Sequence, residues 1–177
     1  MTKITEINAP FFSIVIPTYN RAHVLPKAIH SVLGQIFSNW ELIIIDDGSK
    51  DNTAEVMAHF NDERIKYHAQ TNTERSQARN NGIKISQGQY ICFLDSDDEY
   101  NDNHLSAFYD FIMENQNPIG IIFSNPIIIN DGIETREKIP TFIKTDTLSY
   151  ILNNSIIPDR VCIHREVFSQ YQFNPKV

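Results

Sequence analysis

Apolar residues follow two rhythms along this chain. Short unbroken runs alternate with stretches in which apolar positions recur every three or four residues. An unbroken run of about four to eight residues reads as a strand covered on both faces, and the 3.6-residue rhythm as a helix with one buried side. The first run, Phe11-Phe12-Ser13-Ile14-Val15-Ile16, predicts a strand stopped by Pro17, which has no N–H for a central ladder. Val24, Leu25, Ala28, Ile29, Val32, Leu33 and Ile36 then predict a helix, with Asn20 as its N-cap and Pro26 in or near the first turn. Trp40-Glu41-Leu42-Ile43-Ile44-Ile45 is a second strand. A helix over 53–60 capped by Asp51 or Asn52 and a short strand over 65–68 follow. Residues 76–86 read as a helix, and a turn at Gln87-Gly88 leads into a strand over 90–94.

Leu105, Phe108, Ile112 and Met113 mark another amphipathic helix, and 120–124 a further apolar strand. Ile127-Ile128-Ile129 and Ile133-Glu134-Thr135 flank Asn130-Asp131-Gly132, a strong hairpin signal. A weaker helix over 147–153 and a short strand over 161–164 complete the pattern. Strands alternating with helices predict an α/β fold. Its central sheet is mostly parallel, with helices on both faces and right-handed crossovers. No repeat or linker interrupts it, so residues 1–177 form a single domain with a short tail over 1–10.

Composition narrows the partners. The formal charge of -7 leaves no basic stripe, which argues against nucleic acid. Cys92 and Cys162 show no metal or redox spacing and read as reduced core residues. The first eight residues lack the apolar run of a signal peptide, and no stretch reaches the roughly eighteen apolar residues of a membrane span. The expectation is a cytoplasmic protein, with peripheral contact at the inner face of the membrane left open.

Three predicted strands end in polar clusters: Pro17-Thr18-Tyr19-Asn20, Asp46-Asp47-Gly48-Ser49 and Asp95-Ser96-Asp97-Asp98. Parallel strands bring their C-terminal ends to one sheet edge, where ligands of open α/β sheets bind. Alone, the last cluster reads as a solvated acidic turn. Beside the other two, its carboxylates would repel one another unless a cation or water took up the charge; a divalent metal is the simplest answer, and hard oxygen ligands suit Mg²⁺ or Mn²⁺. Tyr19 offers an aromatic plane or a lid on the core, and Thr18 and Asp47 offer hydrogen-bonding groups for a base edge. Arg79 offers a planar cation for phosphate or base. Such a set suits a nucleoside diphosphate. Asp46 and Gly48 read as turn-holding residues, and Asp98 as a helix cap or a group behind the metal site.

Pro17-Thr18-Tyr19-Asn20-Arg21, Asp46-Asp47-Gly48-Ser49-Lys50-Asp51, Ala78-Arg79-Asn80-Asn81-Gly82 and Phe93-Leu94-Asp95-Ser96-Asp97-Asp98, in this order and spacing, resemble the family 2 glycosyltransferases of GT-A fold. The likeness is strong over 11–105 and thins beyond. It implies a Rossmann-like α/β/α sandwich with a nucleotide-sugar-binding half over 11–105. It implies that residues 106–177 hold the start of an acceptor-side half. It implies an inverting, metal-dependent transfer of a sugar from a nucleoside-diphosphate sugar to an acceptor hydroxyl. UDP-sugars are the commonest donors in similar enzymes, while Thr18, Tyr19 and Asp47 are equally compatible with guanosine or thymidine. By resemblance the product is a bacterial cell-surface polysaccharide built on a glycan or lipid-linked glycan acceptor. Pro17, Thr18 and Tyr19 would frame the base, Asp47 would accept from it, and Arg79 would lie beside base or phosphate. Asp95 would take the ribose or sugar side, and Asp97 would ligate Mn²⁺ or Mg²⁺.

An inverting transfer also needs a general base. In similar enzymes it belongs to a Glu-Asp motif after a strand like 161–164, and no such pair follows Cys162, so the base is expected beyond Val177. Asp159 reads as a turn residue, and His164-Arg165 as either a diphosphate- or acceptor-reaching pair or a surface pair. The alternative is a sugar-nucleotide-binding module without turnover. A nucleotidyltransferase would carry a Gly-rich phosphate loop where Tyr19-Asn20-Arg21-Ala22-His23 stands, and a dehydrogenase would carry G-x-G-x-x-G there. A phosphoryl-accepting receiver domain has no use for Tyr19.

Overall fold

Seven buried residues without polar alternation, Phe12–Thr18, make the central strand β1 of the computed structural model. It describes residues 9–124, 127–130, 133–136 and 161–175. Most of the expected tail, the helix expected over 147–153 and Asp159 lie outside the described residues. β2 (Trp40–Asp46), β3 (Ile65–Ala69) and β4 (Tyr90–Phe93) run parallel to β1. β5 (Ile121–Phe123) and β8 (Val161–His164) complete a six-stranded sheet in the order β3-β2-β1-β4-β8-β5. β8 is antiparallel to both neighbours. β6 (Ile127–Asn130) and β7 (Ile133–Arg136) pair separately, Asn130 opposite Ile133, as the Asn-Asp-Gly signal predicts.

Pro17 does not stop β1. The ladder to β4 ends where Leu94 N–H donates to Val15 O, and Pro17 faces the same side two residues later. Its missing N–H therefore falls beyond the last bond to β4, while β1 stays paired with β2 as far as Thr18 and Asp46.

Alternate residues of the strands feed two apolar layers. Ile14, Ile16, Leu42, Ile44 and Cys92 pack with Leu25, Ala28, Ile29 and Val32 of α1 (Leu25–Leu33). Leu105, Phe108 and Ile112 of α4 (His104–Glu114) join the same layer. Val15, Ile43, Ile45, Ile91 and Phe93 face the other way, towards Ala78 of α3 (Arg75–Ile85) and towards Phe168 and Phe173. Each buried Val, Leu, Ile or Phe among them contributes about 1.5–3 kcal/mol by leaving water. Cys92 and Cys162 stand opposite each other across β4 and β8, buried and unbridged, and burial pushes the Cys162 thiol up.

α3 has little apolar surface and stays close to the sheet by being small. A Cβ on Gly82 would lie 2.4 Å from Val15 Cγ1. α2 (Thr53–Met57) is shorter than expected, and Asp51 serves it by accepting from Thr53 N at 3.1 Å and Thr53 Oγ1 at 2.5 Å.

At the N-terminal sheet edge Glu41 is buried but fully engaged. It accepts from Ser13 Oγ at 2.6 Å, Lys66 Nζ at 2.7 Å and Gln87 N at 2.5 Å. Burial alone would raise its pKa; the bonds from Lys66, Ser13 and Gln87 together outweigh that and hold it below the usual range.

Candidate nucleotide-binding site

β1 is where the chain reverses its progress across the sheet. β2 and β3 build outward on one side, and β4 returns to the other. The C-terminal ends of β1 and β4 thus diverge at a topological switch point, the place where open α/β sheets bind ligands. A cleft of about 440 Å³ opens there, lined by Pro17, Thr18 and Tyr19 after β1, Asp47 after β2, and Asp95, Ser96 and Asp97 after β4. The three polar strand ends therefore converge as the sequence predicts. Thr18 is buried, and its Oγ1 has no hydrogen-bond partner among the described residues. Tyr19 is 43% exposed on the wall.

Asp47 is buried and held from below. Its Oδ1 accepts from Gln70 Nε2 at 2.7 Å, Thr73 N at 2.9 Å and Thr73 Oγ1 at 3.2 Å. Gln70 is oriented in turn by Asn81 Nδ2 at 2.7 Å, and Asn81 by Gln77 Nε2 at 3.0 Å, so α3 fixes the carboxylate through a chain of amides. Asp46 holds the turn as expected. It accepts from Ser49 N at 2.8 Å and Tyr67 Oη at 2.5 Å, and burial with this bond pushes the Tyr67 phenol up. Gly48 adopts φ +82°, and a Cβ there would meet Asn72 N at 2.9 Å.

Arg79 does not line the cleft. It is 1% exposed and donates from Nη2 to Asp95 Oδ1 at 2.5 Å, so it positions that carboxylate from beneath. Arg75, one helical turn earlier, lines the cleft instead, as do Arg21, Asn72, Glu74 and Ala78. The sequence reading assigned no role to Arg75, Asn72 or Glu74. Their signal was a polar segment entering a helix whose N-terminus returns to the same sheet edge.

Asp97 is half-exposed and pairs with Arg21 at 3.3 Å. Among the described residues no three His, Cys, Asp or Glu side chains converge as a cation cage. Mg²⁺ and Mn²⁺ need none, because they keep waters and take one or two carboxylates together with phosphate oxygens. Asp95 and Asp97 fit such an ion.

Two expectations are corrected. Asn20 does not cap α1, which starts at Leu25 after Val24. Asn20 has φ +54° and its Oδ1 accepts from Lys50 N at 2.7 Å, joining the β1 and β2 loops. Asp98 does not cap α4; the Leu105 N–H is met at 2.9 Å by Gln35 Oε1 of the α1 connection. Tyr100 Oη donates to Phe93 O at 2.6 Å and Tyr100 N to Ser31 Oγ at 3.0 Å, so α1 anchors the segment after the acids. His164 and Arg165 lie at the opposite sheet edge, because antiparallel β8 sets His164 beside Tyr90 at the start of β4. His164 packs edge-on against Tyr90, and Arg165 Nε donates to Gly88 O at 2.7 Å.

The six-stranded, mostly parallel sheet with its cleft at the switch point is the GT-A-like α/β fold shared with the solved transferases below. Residues 13–171 match the family model described as Glycosyl transferase family 2, and the chain belongs to that family. It is 38% identical over 121 residues to the Escherichia coli UDP-Glc:alpha-D-GlcNAc-diphosphoundecaprenol beta-1,3-glucosyltransferase WfgD, covering 68% of this chain and 47% of that protein. It is 37% identical over 108 residues to the putative teichuronic acid biosynthesis glycosyltransferase TuaG of Bacillus subtilis, covering 59% and 43%. The chain spans about half the length of these curated relatives. Among solved structures it resembles S. aureus TarS 1-349 in complex with UDP. The TM-score is 0.76 at 21% identity, over 93% of this chain and 50% of that one. It also resembles the mannosyltransferase PcManGT of Pyrobaculum calidifontis in complex with GDP-Man and Mn²⁺, with TM-score 0.65 at 15% identity over 97% and 49%.

Proposed function

We propose that this chain binds the donor of an inverting, metal-dependent glycosyltransferase that moves a sugar from a nucleoside-diphosphate sugar to a glycan or lipid-linked glycan acceptor in bacterial polysaccharide synthesis. The observation that carries this reading is the charge of the cleft. Asp47, Glu74, Asp95 and Asp97 line it against Arg21 and Arg75. A diphosphate entering this excess of carboxylates is repelled unless it brings a divalent cation with it.

The base stacks on Tyr19, with Pro17 and Thr18 beside it, and gives an N–H to the braced Asp47. Thr18 Oγ1, which has no partner among the described residues, meets a polar group of the nucleoside. Asp95, set by Arg79, receives ribose or sugar hydroxyls. Asp97, with Asp95, would hold Mn²⁺ or Mg²⁺. When bound, such an ion offsets the charge that grows on the departing diphosphate. In the transfer the anomeric C–O bond to the diphosphate breaks, its electron pair leaves with that group, and the acceptor oxygen bonds to the opposite face of the carbon. The acceptor proton passes to a general base that we assign to none of the described residues.

UDP is the first nucleotide to test, since two relatives by sequence or fold carry UDP or UDP-Glc in their names. A lipid-linked acceptor, as in the name of the WfgD relative, would bring the protein to the membrane surface. Among the described residues no helix is long and apolar enough to cross the membrane. The test is calorimetric titration with UDP, GDP and dTDP, with and without Mn²⁺. Binding of one nucleotide that needs the metal supports the reading, and no binding of any overturns it.

A further inference from the structure

Glu74 holds a backbone conformation that residues with a Cβ avoid. Its φ is +78° and its ψ 152°, a region that is essentially glycine's and is strained for any other residue. The conformation is fixed from both sides. On one side Thr73 gives its N–H and hydroxyl to Asp47, and on the other the Glu74 carbonyl accepts from Ala78 N at 3.0 Å as α3 begins. The carboxylate itself makes no hydrogen bond or ion pair among the described residues, so no contact of its own offsets the strain. Yet Glu74 lines the cleft together with Asn72, Arg75 and Asp47, the acid to which its neighbour Thr73 bonds.

Strain of this kind clusters at active sites and ligand clamps, held there by the surrounding structure. A carboxylate is an acceptor with no proton to give, so its partner must carry an N–H or O–H. We infer that Glu74 determines donor specificity, accepting a hydrogen bond from an N–H of the base or an O–H of the ribose. This inference rests on the nucleotide reading of the cleft.

Two substitutions separate the backbone from the carboxylate. Glu74→Gly removes both the strain and the acid, and Glu74→Ala removes the acid but keeps a Cβ. The Gly variant is expected to melt above wild type, by about 2–4 °C, whereas the Ala variant melts near it. Both are expected to bind the wild type's preferred nucleoside diphosphate, with Mn²⁺ present, about tenfold or more weakly. Titration with 2′-deoxy-UDP beside UDP and GDP identifies the group recognised. A Glu74→Ala loss that vanishes for the 2′-deoxy nucleotide assigns the contact to the 2′-hydroxyl, and a loss that persists assigns it to the base or the 3′-hydroxyl. Variants that bind every nucleotide as tightly as wild type would overturn the role of Glu74 while leaving the nucleotide reading intact. A wild type that binds no nucleotide would overturn that reading itself.

Discussion

Arg79 and Asp95 are joined by a 2.5 Å ion pair in which the guanidinium is 1% exposed and the carboxylate 27%. The buried arginine sets the acid at the cleft, and the acid lies against its charge. Asp97, two residues on, is 51% exposed and pairs with an equally exposed Arg21. The two acids of one motif should therefore separate stability from binding. Asp95→Ala is expected to destabilise the fold by about 3–5 kcal/mol. Asp97→Ala should cost about 0–1 kcal/mol while abolishing metal-dependent nucleotide binding. Urea unfolding of the two variants checks this, and equal losses would refute the assigned division.

Asn80 and Phe173 exchange two hydrogen bonds, from Asn80 Nδ2 to Phe173 O and from Phe173 N to Asn80 Oδ1, each 2.9 Å. They tie residues 93 positions apart and seat the Phe173 ring against Phe93 and over Arg79. Asn80→Ala is expected to cost about 2–4 kcal/mol, since both backbone groups lose their partner. Amide exchange at Phe173 should rise ahead of exchange in β1.

Gly82 marks the closest approach of α3 to the sheet, 2.4 Å between its added Cβ and Val15 Cγ1. Gly82→Ala should lower stability by about 1–3 kcal/mol even though alanine favours helix. It should also weaken nucleotide binding, because α3 carries the amides that orient Asp47. A variant as stable as wild type would show that α3 can shift without cost.

His104 stacks on Tyr100 with ring centroids 3.9 Å apart, and burial lowers its pKa to about 4. Between its ordinary value near 6.5 and about 4 the unfolded chain binds the proton more readily, so stability falls as pH falls through that window. Glu41, held low in the folded state, adds a loss at still lower pH, as it is protonated. His104→Phe should flatten the stability profile between about pH 6.5 and 4. Glu41→Gln should leave that part unchanged and reduce the loss in stronger acid. Chemical denaturation at a series of pH values distinguishes them.

The strands were legible because β1, β2 and β4 are buried on both faces, which leaves runs with no competing helical period. Their polar ends were legible for the same reason: Thr18, Asp47 and the acids after Phe93 stand where each run breaks. Contacts made across the fold were hidden. That Arg79 lies beneath Asp95 and Arg75 faces the cleft depends on the rotation of α3, whose small and polar inner face gives almost no periodic signal. Gln35 meets the α4 N-terminus from 70 residues away, so local spacing pointed to Asp98 instead. His164 falls at the far sheet edge because β8 runs antiparallel, a direction that a four-residue apolar run does not encode.

The central claim is that Asp97 helps this cleft accept a nucleoside diphosphate together with a divalent ion. The most direct measurement is a thermal-shift titration of UDP and GDP against wild type and Asp97→Ala, each with and without Mn²⁺. Wild type is expected to gain a stabilisation that needs both nucleotide and Mn²⁺ and that disappears in Asp97→Ala. A metal-dependent shift of equal size in both proteins would contradict it.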